Sequence, residues 1–426
     1  MLPGDDMGCP RLALATLLTT WMTAACGADP APTPPRVDAG ATEAAVDASP
    51  ADVAPAGDAP DAEAPARVEV PFRIAFGVPV VEAAVDDAEP VPAMVDTGAP
   101  AVFVNDAVVP VGDLARTPPA LHVGGAVLHG APTLRGDPFG FGANLPVVLG
   151  APALLGAAHT FDFRASVWTL GGAPRPPDTE EAETVVPFRL EGGGVRAFPP
   201  NPSVRLQATR LVVTARVEGR PLRLLVDTGA ASIVLRRTAF DAVASDGRAQ
   251  VSVRLATQAG VSVEPIARVR AVTVEGAEVA GVAVASFPDA VLDAVAGKLG
   301  GPLDGLLGLP FLREFAVTID YPAGRLGLRR YTRRDHVLDE YRRVGFTLVR
   351  DVVGRYRVAI VYRDSDAARQ GVAVNETVES VGGRALASLG DTDADRLLRG
   401  APGESRAVRV GGRDLTLRVE ELLPLP

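Results

Sequence analysis

Between residues 68 and 331 the chain consists of short apolar runs, several alternating with polar positions and most closed by glycine or proline. Residues 210–218 (RLVVTARVE) alternate in part, Gly219-Arg220-Pro221 interrupts them, and Leu222–Val226 resumes the run. A side-chain period of two over a few residues marks a half-buried strand, and the interruption marks a turn. Val251–Ala256, Val261–Val274 and Val279–Ala285 continue this texture, punctuated by Gly260, Gly276 and Gly281. Helical periodicity is scarce, with one short candidate at Asp289–Lys298. The expectation for the region is all-β.

Part of this pattern is written twice. Val70-Pro71-Phe72-Arg73-Ile74 returns as Val186-Pro187-Phe188-Arg189-Leu190, and Met94-Val95-Asp96-Thr97-Gly98-Ala99 returns as Leu225-Val226-Asp227-Thr228-Gly229-Ala230. Gly150–Leu170 aligns with Gly308–Leu328 without a gap, setting Pro152 on Pro310, Leu154 on Leu312, Thr160 on Thr318 and Asp162 on Asp320. Three matched blocks in one order indicate an internal duplication. They predict a first lobe over 68–172, a linker over 173–182 and a second lobe over 183–331. After Tyr331 the texture changes, and a further small domain is expected over 338–422. A chain of 426 residues is long enough for each part to bury its own core.

Composition alters the picture at the N-terminus. Residues 27–67 are almost wholly Ala, Pro, Asp, Gly, Thr and Val, with no aromatic residue. Such a tract buries too little apolar surface to offset its ordering entropy, so it is expected to be a disordered stalk reaching on the order of 100 Å. Residues 7–26 (MGCPRLALATLLTTWMTAAC) read as a secretory signal, too short and weakly apolar to span a bilayer, with Met7 the better start because Asp5 and Asp6 precede it. Thr23-Ala24-Ala25-Cys26 resembles a bacterial lipobox, which implies acylation of Cys26 and, with Gly27 next, the outer membrane of the cell envelope; an ordinary signal peptide remains the alternative. Much of the net charge of −10 lies in the stalk, and no basic stripe with interleaved aromatics exists, so nucleic acid is not an expected partner. The two cysteines, Cys9 and Cys26, lie in the first 26 residues and build no disulfide framework or zinc site. His122, His129, His159 and His336 have no paired metal-ligand spacing, so no metal or other cofactor is expected.

A single Asp-Thr-Gly is weak evidence, since any strand-to-turn junction can use its glycine. Here it occurs twice after an apolar strand, and each time an apolar-apolar-Gly segment follows: Val148-Leu149-Gly150 and Leu306-Leu307-Gly308. Over roughly residues 68–331 this combination resembles the pepsin and retropepsin superfamily of aspartic peptidases. The second lobe is the closer match, through Leu303-Asp304-Gly305-Leu306-Leu307-Gly308, Phe311-Leu312 and Thr318-Ile319-Asp320-Tyr321. The resemblance implies two retropepsin-like β lobes forming a monomeric pseudodimer around catalytic Asp96 and Asp227. It also implies that Gly98 and Gly229 N–H groups hold the carboxylates, that Thr97 and Thr228 lock the loops reciprocally, and that Gly150 and Gly308 support them from beneath. Two carboxyls about 3 Å apart share one proton, so one can activate water while the other polarises a peptide carbonyl. Both loops end in alanine, Ala99 and Ala230, which removes a hydroxyl donor and should raise the pair's apparent pKa values; Pro100 offers no N–H to a substrate strand.

From Asp96 to Gly150 is 54 residues and from Asp227 to Gly308 is 81. The surplus falls where the family has its flap, implying a single flap on the second lobe around Thr257, Gln258 and Gly260, with Gly260 at the hairpin tip. In the C-terminal part Val344-Gly345-Phe346-Thr347-Leu348, Asp364–Val372 and Val378–Gly383 resemble a small α+β PDZ domain, which implies capture of a C-terminal peptide at Gly345 and Phe346; a β-domain packed on the peptidase lobe is the alternative. Two functions stay open: an aspartic endopeptidase acting on protein or peptide substrates, or a non-catalytic peptide-binding surface lipoprotein.

Overall fold

The computed structural model describes residues 67–75, 77–112, 118–137, 144–171, 176–198, 201–257, 260–296, 302–332, 341–350 and 354–425. The expected signal segment, Cys26 and all of the expected stalk but Arg67 lie outside the described residues. What is described is mostly strand.

The first repeat contains β1 (Val68–Pro71), β2 (Arg73–Ala75), β3 (Val78–Val85), β4 (Val91–Asp96), β5 (Val102–Val104), β6 (Leu121–Val123), β7 (Ala126–Leu128), β8 (Thr133–Arg135), β9 (Val147–Gly150), β10 (Ala158–Asp162) and β11 (Val167–Leu170). The second contains β12 (Thr184–Pro187), β13 (Leu190–Glu191), β14 (Gly194–Phe198), β15 (Asn201–Leu206), β16 (Arg210–Val217), β17 (Arg220–Val226), β18 (Ile233–Arg236), β19 (Gln250–Thr257), β20 (Gly260–Arg268), β21 (Ala271–Val274), β22 (Ala277–Ala280), β23 (Ala283–Phe287), β24 (Gly305–Leu307), β25 (Phe315–Asp320) and β26 (Arg325–Arg330). Among the described residues three helices interrupt the second repeat, α1 (Arg237–Val243), α2 (Asp289–Ala296) and the single turn α3 (Leu309–Leu312).

Strand order explains the duplication. One sheet runs β7-β6-β3-β4-β9-β5-β8, and the other runs β22-β21-β16-β17-β24-β18-β23 before continuing into β20 and β19. At the centre of each, the strand leading into Asp-Thr-Gly pairs in parallel with the apolar-apolar-Gly strand: Met94 opposite Val148 and Leu225 opposite Leu306. These central strands are covered on both faces, which is why β9 is apolar throughout instead of alternating.

A third sheet, β1-β11-β10-β25-β26-β12, takes strands from both repeats. β10 and β25 meet antiparallel with Thr160 opposite Thr318, the very pair that aligns in the duplication, and their hydroxyls lie 2.9 Å apart. A residue pairing with its own counterpart places a local two-fold axis between the strands.

Two expectations need correction. Val261–Val274 is not one strand: β20 ends at Arg268 and β21 begins at Ala271, the chain turning where Arg270 N donates to Glu218 at 2.6 Å. Gly260 is not at a hairpin tip. It opens β20 opposite Thr257, and positions 258 and 259, Gln258 included, lie outside the described residues.

The C-terminal segment mixes short strands with helices Asp366–Arg369 and Asp391–Leu397 around a core that includes Val344, Phe346, Val358, Val381 and Leu417. Ile360, Tyr362 and Leu423 join instead an apolar layer of the second repeat with Val251, Ile266 and Phe287. Buried Arg268 fixes that junction, donating Nε to Leu423 O at 2.6 Å and Nη1 to Gly281 O at 2.7 Å. Among the described residues no helix is long and apolar enough to cross a membrane.

Candidate active site

β4 and β17 each run into an aspartate, and the two loops that follow interlock. Thr97 N donates to Thr228 Oγ1 at 3.1 Å and Thr228 N to Thr97 Oγ1 at 3.0 Å. The hydroxyls then donate onward, Thr97 Oγ1 to Val226 O at 3.0 Å and Thr228 Oγ1 to Val95 O at 2.7 Å. Four bonds among fully buried groups leave little freedom for one loop to move against the other.

The interlock brings the carboxyls of Asp96 and Asp227 into a hydrogen bond with each other. Gly98 and Gly229 explain how close they come. Neither has a positive φ; what each lacks is room. A Cβ on Gly98 would lie 2.6 Å from Asp227 Cγ, and one on Gly229 would lie 2.4 Å from Asp96 Cγ. Gly150 and Gly308 meet backbone in the same way, a Cβ falling 2.0 Å from Ala101 O and 2.3 Å from Ser232 O. Beside them Ala151 N donates to Ala99 O and Leu309 N to Ala230 O, tying each Asp loop to the segment below it.

Burial raises the pKa of both aspartates, and that of Asp227 much further because the charge of Asp96 opposes a second ionisation beside it. Their surroundings are unequal. Asp96 Oδ1 accepts from Gly98 N at 2.8 Å and Ala99 N at 2.9 Å, and the Arg210 cation also favours its ionised form. Asp227 Oδ1 accepts from Gly229 N at 2.8 Å and the Ala230 N–H also favours its ionised form, so the backbone donors match and the difference is the Arg210 charge. Because the first ionisation opposes the second, the pair favours a state that shares one proton, with the charge of Arg210 lying on the Asp96 side.

Arg210 escaped the sequence reading. It is 2% exposed at the start of β16, where the first repeat starts β3 with Val78. An arginine in the register of a buried valine was the available signal.

Of the residues expected in a flap, Thr257 and Gly260 close the β19–β20 ladder. Gly345 has a φ of +95° and lies against Ser365, while the Phe346 ring is fully buried in the C-terminal core, leaving only its backbone for a ligand. His159 is buried with Nε2 2.6 Å from Leu154 O and its ring stacked on Trp168; burial lowers its pKa to about 4. His122 and His129 are exposed, and no cluster among the described residues is arranged to hold a metal ion.

Residues 213–311 match the aspartyl protease family model. The match contains Asp227-Thr228-Gly229 and Gly308, and so most of the second repeat's half of the site. No curated protein matches the chain. The aspartyl protease match agrees with the chemistry available here: a buried carboxyl pair with one proton can supply a base and an acid to the same water and carbonyl.

Proposed function

We propose that the chain is an aspartic-type endopeptidase that hydrolyses extended protein segments by a water activated between Asp96 and Asp227. The observation that carries the reading is the hydrogen-bonded carboxyl pair at the centre of two threonine-crossed loops. Ionised Asp96 takes a proton from the water while Asp227 donates its own to the scissile carbonyl oxygen, giving a tetrahedral diol. The proton on Asp96 then passes to the leaving nitrogen as the C–N bond breaks, and Asp227 recovers a proton from a diol hydroxyl. The β19–β20 hairpin serves as the flap, with Thr257, Gln258 and Gly260 at its end. Acylated Cys26 anchors the protein in the bacterial envelope, and the C-terminal module, at Gly345 and Phe346, engages a peptide C-terminus.

Asp96→Asn and Asp227→Asn, each assayed on a mixture of unstructured peptides, test the reading. Loss of cleavage in both is expected, with circular dichroism unchanged. Activity that survives Asp96→Asn means the second repeat works with another copy of itself, and peptides bound but never cleaved by the unaltered protein favour the peptide-binding lipoprotein. Cys26→Ser should move the protein from the membrane to the soluble envelope fraction.

A further inference from the structure

Although the two Asp-bearing sheets share one strand order, their outer edges differ. In the second repeat the edge of β23 is occupied by β20 and its hairpin partner β19. The matching edge strand of the first repeat, β8, has no such hairpin among the described residues. A hairpin from the other repeat lies there instead. β14 and β15 pair antiparallel within the segment that joins β13 to β16, where the first repeat passes from β2 to β3 in a short turn.

This hairpin is fastened at both ends of β15. Arg135 N donates to Asn201 Oδ1 at 2.7 Å, and Asn201 Nδ2 donates to Arg135 O at 2.8 Å. One side-chain amide thus satisfies the donor and acceptor that a neighbouring strand would satisfy on an open edge. At the other end Leu206, 6% exposed, packs with partly buried Val204 into the apolar layer of Met94, Ala99, Phe103 and Val148. Met94 precedes Asp96 by two residues and Ala99 follows it by three, so the layer adjoins the carboxyl pair. The second repeat's counterpart, built on Leu225, Ala230, Val234 and Leu306, contains no residue of this hairpin.

We propose that the β14–β15 hairpin is the specificity-determining wall of the substrate cleft on the Asp96 side, and that Leu206 restricts the substrate side chain seated there to glycine, alanine or serine. The inference rests on the peptidase reading and refines it. Met94 and Ala99 are fully buried and Phe103 and Val148 nearly so, and Leu206 belongs to the same apolar layer, so a branched or aromatic side chain brought against the layer there has to displace it. Leu206→Ala removes three carbon atoms at that point and makes room for a valine or leucine.

The test uses peptides identical but for Gly, Ala, Val, Leu or Phe at one position beside the scissile bond, cleaved by the unaltered protein and by Leu206→Ala. The unaltered protein should favour the small residues. Leu206→Ala should raise kcat/KM for the leucine peptide by about 10-fold or more, the scale set by one or two methylenes in an apolar pocket. Asn201→Ala, which keeps Leu206 but releases its fastening, should shift the preference the same way and speed amide exchange at Arg135. The same peptides titrated calorimetrically onto Asp227→Asn, with and without Leu206→Ala, separate the two readings. No hydrolysis but a shifted binding preference removes the peptidase reading and keeps the hairpin inference. Hydrolysis with the same preference in unaltered protein and a folded Leu206→Ala overturns the hairpin inference alone. Neither binding nor hydrolysis overturns both.

Discussion

His159 should make the protein acid-labile in a defined window. Its pKa falls from 6.5 in the unfolded chain to about 4 in the folded one, because burial against Trp168 and Tyr321 disfavours the imidazolium. Between these values the unfolded state binds more protons than the native state, so stability is greatest above pH 6.5 and declines as pH falls towards 4. At about 1.4 kcal/mol per pH unit the loss approaches 3 kcal/mol by pH 4. That is a large share of a typical 5–15 kcal/mol. The group is well placed to be felt, since β10 joins the two repeats and His159 pairs with Ile319 of β25. His159→Gln does not titrate and retains a donor for Leu154 O. Urea unfolding of both proteins at pH 7.5, 6.5, 5.5 and 4.5 should show the gap between them shrinking or reversing in favour of the variant as pH falls. Carboxylates common to both proteins cancel in the comparison. Parallel losses of stability would refute the reasoning and place His159⁺ in a solvated setting.

The carboxyl pair should act in the opposite direction: its raised pKa contributes stability below the ordinary carboxyl range that is lost as pH rises through the folded value, so Asp227→Asn should unfold at a higher temperature than the unaltered protein at pH 8 and lose that advantage near pH 4. Its peptide hydrolysis should fall by about 10³-fold or more, the loss of an acid that must donate in the transition state. Thr228→Val leaves Thr97 N–H and Val95 C=O buried and unpaired, which should cost about 2–6 kcal/mol in denaturant unfolding, and a cost under 1 kcal/mol would mean the loops are held by packing alone. The rate–pH profile should be bell-shaped and displaced above the ordinary carboxyl range, and Ala230→Ser, at the less buried of the two alanines, should move it towards acid through a new bond to the ionised pair; a profile within the ordinary carboxyl range, or no movement in the variant, would show that another group sets the titration.

The predominance of strand was readable because β3, β16 and their neighbours keep a period of two or an unbroken apolar run. The repeat was readable because buried centres change slowly: Leu225-Val226 and Leu306-Leu307 fill the same space as Met94-Val95 and Val148-Leu149. What could not be read was whatever depends on the other half of the chain. The β14–β15 segment has little alternation, and Asn201 makes sense only beside Arg135, 66 positions away. Val269-Arg270 look like more strand until Glu218 captures the Arg270 N–H. Helix α1 (RTAFDAV) shows no amphipathic repeat because seven residues give it one buried stripe of Ala239, Phe240 and Val243. Arg210 shows the same limit, a charge whose meaning lies wholly in Asp96, on a loop of the other repeat.

The register that sets Thr160 opposite Thr318 also removes dilution as a hazard. Where identical subunits must meet to assemble a carboxyl pair, the fraction assembled falls with concentration, and a protein present in a few copies per cell would spend its time as halves. Here the second half stands beside the first in one chain, at an effective concentration on the order of millimolar however scarce the molecule becomes. The same covalent joining frees the two sides from being copies. Val78 and Arg210 can occupy corresponding strand starts, and one Asp can be given a cation that its partner lacks, a division of labour closed to any pair obliged to share a single sequence.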